Sequence, residues 1–497
     1  MKRIFRRLSR FQTAVLPGAV AAAIALPSGA VVAQPAMLEE VIVMAQKREQ
    51  SLQDVGIAIT AFSGEQLDSL GINSSTELSN ITPNLNIVSP GGDGGVVAIF
   101  IRGIGLNDFS LNNTGPVGFY VDEVFAGSSN AQITTIFDTE RVEVLKGPQG
   151  TLFGRNTTGG ALNFISKKPE DQFGAEARVS YGNFDYYRLD GVVTGPMSDN
   201  VNGRLALVGY GTDGYIKNLS TGDTVERQNL AGRALFDYQP TDTLSFLLNL
   251  NASRNDSDSE LYGTTADPDF YEGFHGDLPY KIKVDTYGGS LKASYDVTDT
   301  IGFTSITAYD NLDKDQNEDA DMTPLQLVEI SYQVESDLFT QELRLNGDTD
   351  NTHWIAGLYY LYEDMQFGYV SNLTDLGLGM SPSSNKQELQ TAAAFGQIEY
   401  DFNERWALTA GARYTYIDID FALDASFPIL GVLGFQDENN FEDSQTDGQW
   451  SGKIGLDYTP TNDHLFYASI AKGFKGGGFN GGLVSDFANY PDIAEFD

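Results

Sequence analysis

The sequence predicts a mainly β protein, a transmembrane antiparallel β-barrel preceded by a separate α/β domain. Three observations carry this: an export signal at the N-terminus, period-two alternation from about Phe173 onward, and connections that alternate between short and long. Each is taken in turn.

The first 33 residues read as a secretory signal peptide. Lys2, Arg3, Arg6, Arg7 and Arg10 precede a mostly apolar stretch from Thr13 to Leu26, and Val31-Val32-Ala33 suits cleavage after Ala33. Removing those five positive charges takes the formal net charge from −37 to −42. A chain this acidic, with no basic block outside the signal, repels nucleic acid. The chain has no cysteine, so disulfides and thiolate metal sites are excluded. His275, His353 and His464 lie far apart and form no metal-binding pair, and no nucleophile, base and orienting group form a catalytic constellation. No metal, no cofactor and no enzymatic activity are expected. From Gln34 onward no apolar run reaches the length of a membrane helix, which leaves a soluble chain or a closed barrel.

Period two decides for strands. In Ala175 to Tyr181, Leu230 to Tyr238, Trp406 to Tyr414 and Trp450 to Tyr458 one face is apolar, with aromatic residues at its ends, as on a lipid-facing strand. About thirteen such strands follow Phe173. Their short linkers include Gln239 to Asp242, Val297 to Thr300, Phe402 to Glu404 and Thr459 to Asp463. Between them lie polar excursions, Ser253 to Tyr280, Asn311 to Ile330, Gly368 to Lys386 and Ile419 to Gly448, expected as long external loops. Tight turns at one end and long loops at the other suit a membrane barrel, and a soluble sandwich has no reason for that parity. The acidic run Asp310 to Asp321 does not make an EF-type calcium loop, because Glu318 stands where such a loop starting at Asp313 needs Gly.

Leu38 to Pro169 lacks sustained alternation and reads as a compact α/β piece. Ser63 to Leu70 suggests a capped helix, and Val96 to Arg102 and Arg141 to Lys146 suggest short strands. The glycine-rich Leu145 to Pro169 looks like a phosphate cradle. However, Gly160 and Ala161 follow the Gly154/Gly159 pair where Lys and Ser/Thr would be needed.

The sequence resembles the TonB-dependent outer-membrane receptors over nearly all of the mature chain. Glu39 to Ala45 is similar to the family's TonB box, Ile99 to Gly103 to a plug strand ending in Arg-Gly, and Gly118 to Val124 and Arg141 to Pro148 to later plug motifs, in the family's order. The resemblance implies a signal peptide (1–33), a TonB box and linker (34–50), an α/β plug domain (51–170) and part of the transmembrane β-barrel (171–497) in the cell outer membrane. It implies energised uptake of a ferric siderophore or other iron complex. The alternatives are another nutrient such as an oligosaccharide or cobalamin, or a non-energised structural barrel. Glu40, Val41, Ile42, Val43, Met44 and Ala45 would bind the TonB protein by strand addition. Arg102, Arg141 and Glu143 would anchor the plug by pairing with one another or with the wall, and Asn107, Asp108, Asn112 and Phe125 would meet ligand. No signalling domain fits between Gln34 and the box. About thirteen strands falls short of the roughly 22 of a plugged transporter, so the chain is expected to stop inside the barrel.

Overall fold

The computed structural model describes residues 41–496, apart from 90–94, 107, 109, 133–134, 259–271, 277–280, 322, 324, 428–437, 462–463 and 482–494. The signal peptide, Glu39, Glu40 and Asn107 therefore lie outside the described residues.

The N-terminal part forms an inner domain from β1 (Ile42–Val43), β2 (Gln50–Ser51), β3 (Ile59–Ser63), α1 (Gly64–Leu70), β4 (Leu85–Val88), β5 (Ala98–Ile101), β6 (Val117–Val121), β7 (Val124–Phe125), β8 (Thr139–Lys146) and β9 (Gly160–Ser166). The helix begins at Ser63, whose hydroxyl accepts from Gln66 N while the Gln66 side chain accepts from Ser63 N. It ends at Gly71, left-handed at φ 70°. The main sheet runs β3-β8-β9-β6-β7, with only β6 and β9 parallel. Its core packs Leu67, Leu78, Ile101, Phe119, Val142 and Leu162, all at 0–1% exposure.

Around this domain runs one antiparallel sheet. Its strands are β10 (Gly174–Tyr181), β11 (Tyr187–Ser198), β12 (Val201–Thr212), β13 (Arg227–Thr241), β14 (Leu244–Ser257), β15 (Lys281–Thr298), β16 (Ile301–Asp319), β17 (Glu329–Thr349), β18 (Thr352–Leu373), β19 (Gly379–Asn403), β20 (Trp406–Ser426), β21 (Glu438–Thr461) and β22 (His464–Lys472). The order is sequential, and β10 and β22 end the sheet without pairing with each other. Thirteen strands match the sequence expectation. The links 199–200, 242–243, 299–300, 350–351 and 404–405 are two-residue turns, and longer connections separate them, so the parity also holds. After β22 the chain forms β23 (Gly478–Phe479), which pairs with β24 (Glu495–Phe496).

The polar excursions are shorter as loops than the sequence suggested. β16 runs to Asp319, β18 to Leu373 and β20 to Ser426, while β19 starts at Gly379 and β21 at Glu438. Beyond the apolar band both faces of a strand meet water or the lumen, so the alternation fades while the backbone ladder persists. Within the band the pattern is clean. Along β19 Leu389, Thr391, Ala393 and Phe395 are buried inward, and Gln390, Ala392 and Ala394 between them face out. Large apolar side chains such as Leu358, Ile398, Tyr414 and Trp450 cover the outer face, and Trp406 stacks on Tyr458 at 4.3 Å near a tight turn. Such a face suits lipid.

Candidate functional site

The segment Val41 to Ala45 is held, not free. β1 pairs with β2, matching Ile42 with Ser51 and Val43 with Gln50, and Leu52 N donates to Val41 O at 2.8 Å. Val43 and Ala45 are 0% and 2% exposed. The β-branched Val43 is buried in one apolar cluster with Val55 and Leu145, on a strand whose partner begins only eight residues further on.

Glu143 is the hub beneath it. Met44 N donates to Glu143 Oε1 at 2.7 Å, Arg141 Nε donates to the same oxygen at 2.9 Å, and Asn163 Nδ2 reaches Oε2 at 3.3 Å. Glu143 is fully buried on β8, so these donors replace water around its charge. Arg141 and Glu143 thus pair with one another inside the domain. Arg102 does not join them. It sits at φ 53° in the turn after β5, exposed, and pairs with no carboxylate among the described residues.

The wall is engaged by residues the sequence reading did not single out. Lys47 Nζ lies 2.6 and 2.7 Å from the two Glu342 oxygens, with side chains only 5% and 8% exposed. Arg344 lies 3.3 Å from Glu342 and 2.6 Å from Glu123, and Lys292 lies 2.6 Å from Glu123. Arg48 pairs with Glu399 at 2.7 Å, and Gln397 donates to Gln46 at 2.9 Å. A chain of alternating charges therefore joins the N-terminal segment to the β6–β7 turn through two wall strands. Burial pushes the Lys47 ammonium down from its ordinary value, against the opposing pull of Glu342. Burial pushes the Glu123 carboxyl up, but Arg344 and Lys292 overcome it and hold that group well below the usual carboxylate range. The signal available in sequence was Glu342 and Arg344 two apart, both on the inward face in the middle of a strand.

The glycine-rich stretch packs against the same wall. Gly160 opens β9 at φ 145°, where a Cβ would collide with the Leu145 carbonyl. At Gly154, φ 91°, a Cβ would stand 2.8 Å from Arg413 Nη2 of the wall. These glycines serve close approach rather than phosphate binding.

At the opposite, loop end of the domain, Asp108 accepts from Ser110 N at 3.0 Å and from Asn113 Nδ2 at 2.6 Å, fixing its own loop. Asn112 is buried and donates to Gln387 Oε1 and to Phe479 O, each at 2.9 Å. Phe125 is only 5% exposed and packs at 5.5 Å from the Tyr120 ring, so it serves the core in this conformation. Arg155, also missed, has a buried Nη2 with no hydrogen-bond partner among the described residues.

Wall contacts reach the inner domain from Arg204–Asp138 on β12 round to Ser451–Gly150 on β21, so the sheet curves about a folded occupant. That defines the class: a barrel-type membrane wall whose lumen holds a domain tied to it by buried charges. Residues 51–161 match the TonB-dependent receptor plug domain and residues 171–494 the TonB-dependent receptor-like β-barrel. The chain belongs to the TonB-dependent receptor family and is an outer-membrane β-barrel protein. It is similar to the pesticin receptor of Yersinia enterocolitica, 24% identical over 471 residues, covering 91% of this chain and 66% of that receptor. The rhizobactin receptor of Rhizobium meliloti is 23% identical, with 90% and 66% covered. The crystal structure of the ferric yersiniabactin uptake receptor FyuA from Yersinia pestis matches with a TM-score of 0.77 at 22% identity, over 87% of this chain and 66% of that one, a likeness of fold. The chain spans 66% of the length of these relatives.

Proposed function

We propose that the protein takes up a ferric siderophore or similar iron complex across the outer membrane, energised by TonB. The observation that supports this most directly is the linkage of Val41–Lys47 to both Glu143 of the inner domain and Glu342 of the wall. A force on this segment acts at once on what holds the domain in place. On this reading Glu40 to Ala45 is the TonB-binding strand, released from β2 before it adds to its partner. Residues 1–33 are the signal, 34–50 the box and linker, 51–170 the plug, and 171–497 belong to the barrel. Arg141 and Glu143 are internal plug anchors, Arg102 is an exposed lumen charge, and Asn107, Asp108 and Asn112 are the candidate ligand contacts. The relatives named for pesticin, rhizobactin and ferric yersiniabactin favour an iron complex as cargo. The role is one of transport, not catalysis.

The test is labelled ferric siderophore uptake by host cells under iron starvation, with the gene intact, deleted, or lacking residues 40–45. Loss of uptake on either deletion, with binding retained in the second, is expected. Iron-independent expression together with unchanged iron uptake on gene deletion would move the assignment to another nutrient, and uptake indifferent to residues 40–45 would remove the energised mechanism.

A further inference from the structure

Between the flank of the inner domain and strands β12 to β18 of the wall lies a cavity of about 210 Å³. That is far more than the ~10–15 Å³ one water needs. Its two sides differ. Val121, Val124 and Phe125 of the inner domain present an apolar surface, whereas β14, alternating with period two, turns Asn249, Asn251 and Asn255 toward the cavity. Asp310 of β16 joins the polar side. Its cross-strand partner is Gly288, on which a Cβ would stand 2.0 Å from Asp310 Oδ1, and Asn251 lies opposite Gly288 on the next strand. Glycine at that position leaves the space the carboxylate occupies.

The polar side is rich in unused acceptors. Asn249 Nδ2 donates to Asp122 Oδ2 at 3.0 Å, a carboxylate oxygen, which fixes the orientation of the amide. The remaining Oδ1, on a residue 6% exposed, has no hydrogen-bond partner among the described residues, and neither has Oδ1 of Asn255, at 8%. Asp310 has neither a hydrogen bond nor an ion pair among the described residues. Arg233, which also lines the cavity, is committed elsewhere: it donates to Ser166 Oγ and Phe137 O and lies over the Phe137 ring at 4.8 Å. Glu363, on the same lining, accepts from Ser336 Oγ at 3.2 Å, and the charge of Arg155 offsets its own. A carboxylate without a partner and buried amide oxygens are costly until donors reach them.

We propose that this cavity binds a small aliphatic ammonium ion carrying a second, neutral hydrogen-bond donor, in the simplest case an amino alcohol. The ammonium donates to the Asp310 carboxylate, the hydroxyl donates to Asn249 Oδ1, and the methylene chain lies against Val124 and Phe125. An anion is repelled by Asp310. A bare metal ion suits the cavity poorly, since no group of three His, Asp or Glu side chains able to hold one occurs among the described residues. An occupant that touches the inner domain and the wall together favours the seated domain over any arrangement in which it has moved. This site is independent of the identity of the cargo.

The experiment is titration of the full chain, folded in detergent at low salt, with aminobutanol, butylammonium and butanediol, followed by ligand-observed NMR. Aminobutanol is expected to bind at least about tenfold tighter than butanediol, the scale of a hydrogen bond to a charged group, and measurably tighter than butylammonium, which lacks the second donor. Asp310→Asn, which keeps the shape and removes the charge, is expected to bring aminobutanol down to the affinity of butanediol. Without ligand, this variant is expected to unfold at the same temperature as the parent or higher, because an uncompensated charge is gone. That measurement separates loss of the site from loss of the fold. Butanediol binding as tightly as aminobutanol, aminobutanol affinity unmoved by Asp310→Asn, or no saturable binding of aminobutanol overturns the proposal. A lower unfolding temperature of the unliganded variant overturns it as well, since Asp310 would then be a structural partner. Displacement of aminobutanol by an equal concentration of sodium ions does the same, by making this an inorganic cation site.

Discussion

Lys47→Met removes the cation that ties the N-terminal segment to the wall. The pair it breaks is buried, and Glu342 would lose its partner at 2.6 Å while keeping Arg344 at 3.3 Å. Breaking a buried pair costs about 3–5 kcal/mol when the remaining charge is left alone, so partial compensation places Lys47→Met near the bottom of that range or below it, at about 2–3 kcal/mol. Glu342→Gln is worse, because Lys47 has no other carboxylate within ion-pair distance among the described residues, and it belongs at the full value. Replacing both by apolar residues of similar size should recover most of the loss. The assay is amide hydrogen exchange over Ile42 to Leu52 in detergent, which reads local opening directly. Two kcal/mol of destabilisation raises the open population about 30-fold. Exchange unchanged in both single variants, or a double variant as loose as Glu342→Gln, would refute the claim that this pair clamps the segment.

Three further predictions follow from the same contacts. Glu143→Leu leaves Met44 N, Arg141 and Asn163 without their acceptor and should cost about 3–5 kcal/mol, read as a lower urea midpoint for protease resistance of the inner domain; an unchanged midpoint contradicts the hub role. The native Glu123 carboxyl titrates below its unfolded value, so its contribution is present above the ordinary carboxylate range, near pH 4.3, and fades only as pH falls through the depressed native value. Infrared titration of isotope-edited Glu123 should therefore show it ionised at pH 4, and protonation at or above pH 4.5 would overturn the ion-pair account. Gly160→Val combines positive φ with a collision at Leu145 O, whereas Gly71→Ala, also at positive φ, meets nothing within 4 Å. The first should destabilise clearly more than the second, which should cost about 1–2 kcal/mol; equal unfolding midpoints would be the wrong result.

The N-terminal segment shows where sequence reading stops. Val41 to Ala45 was legible as β-forming and as a family motif, yet its burial depends on Glu143, 99 residues away, and on Glu342, 295 residues beyond Lys47. Arg102, near the end of one plug motif, and Arg141, at the start of another, looked alike as anchoring charges. The first sits exposed in a left-handed turn, and the second shares one face of β8 with Glu143, two residues on. Asn112 was legible as a loop residue at the ligand end, but nothing in its neighbourhood along the chain announced Phe479.

By itself the sequence determined what depends on near neighbours: the alternation of the wall strands, the turn parity, the Ser63 cap and the short strand Arg141 to Lys146. These depend on backbone geometry and side-chain spacing over two to four residues. Only the tertiary structure decided which charges meet, that Phe479 is brought against Asn112, and that the proposed TonB-binding strand rests folded. Such outcomes depend on desolvation and on partners brought together by the curvature of the sheet, and a buried ion pair has no signature in either residue until the other arrives.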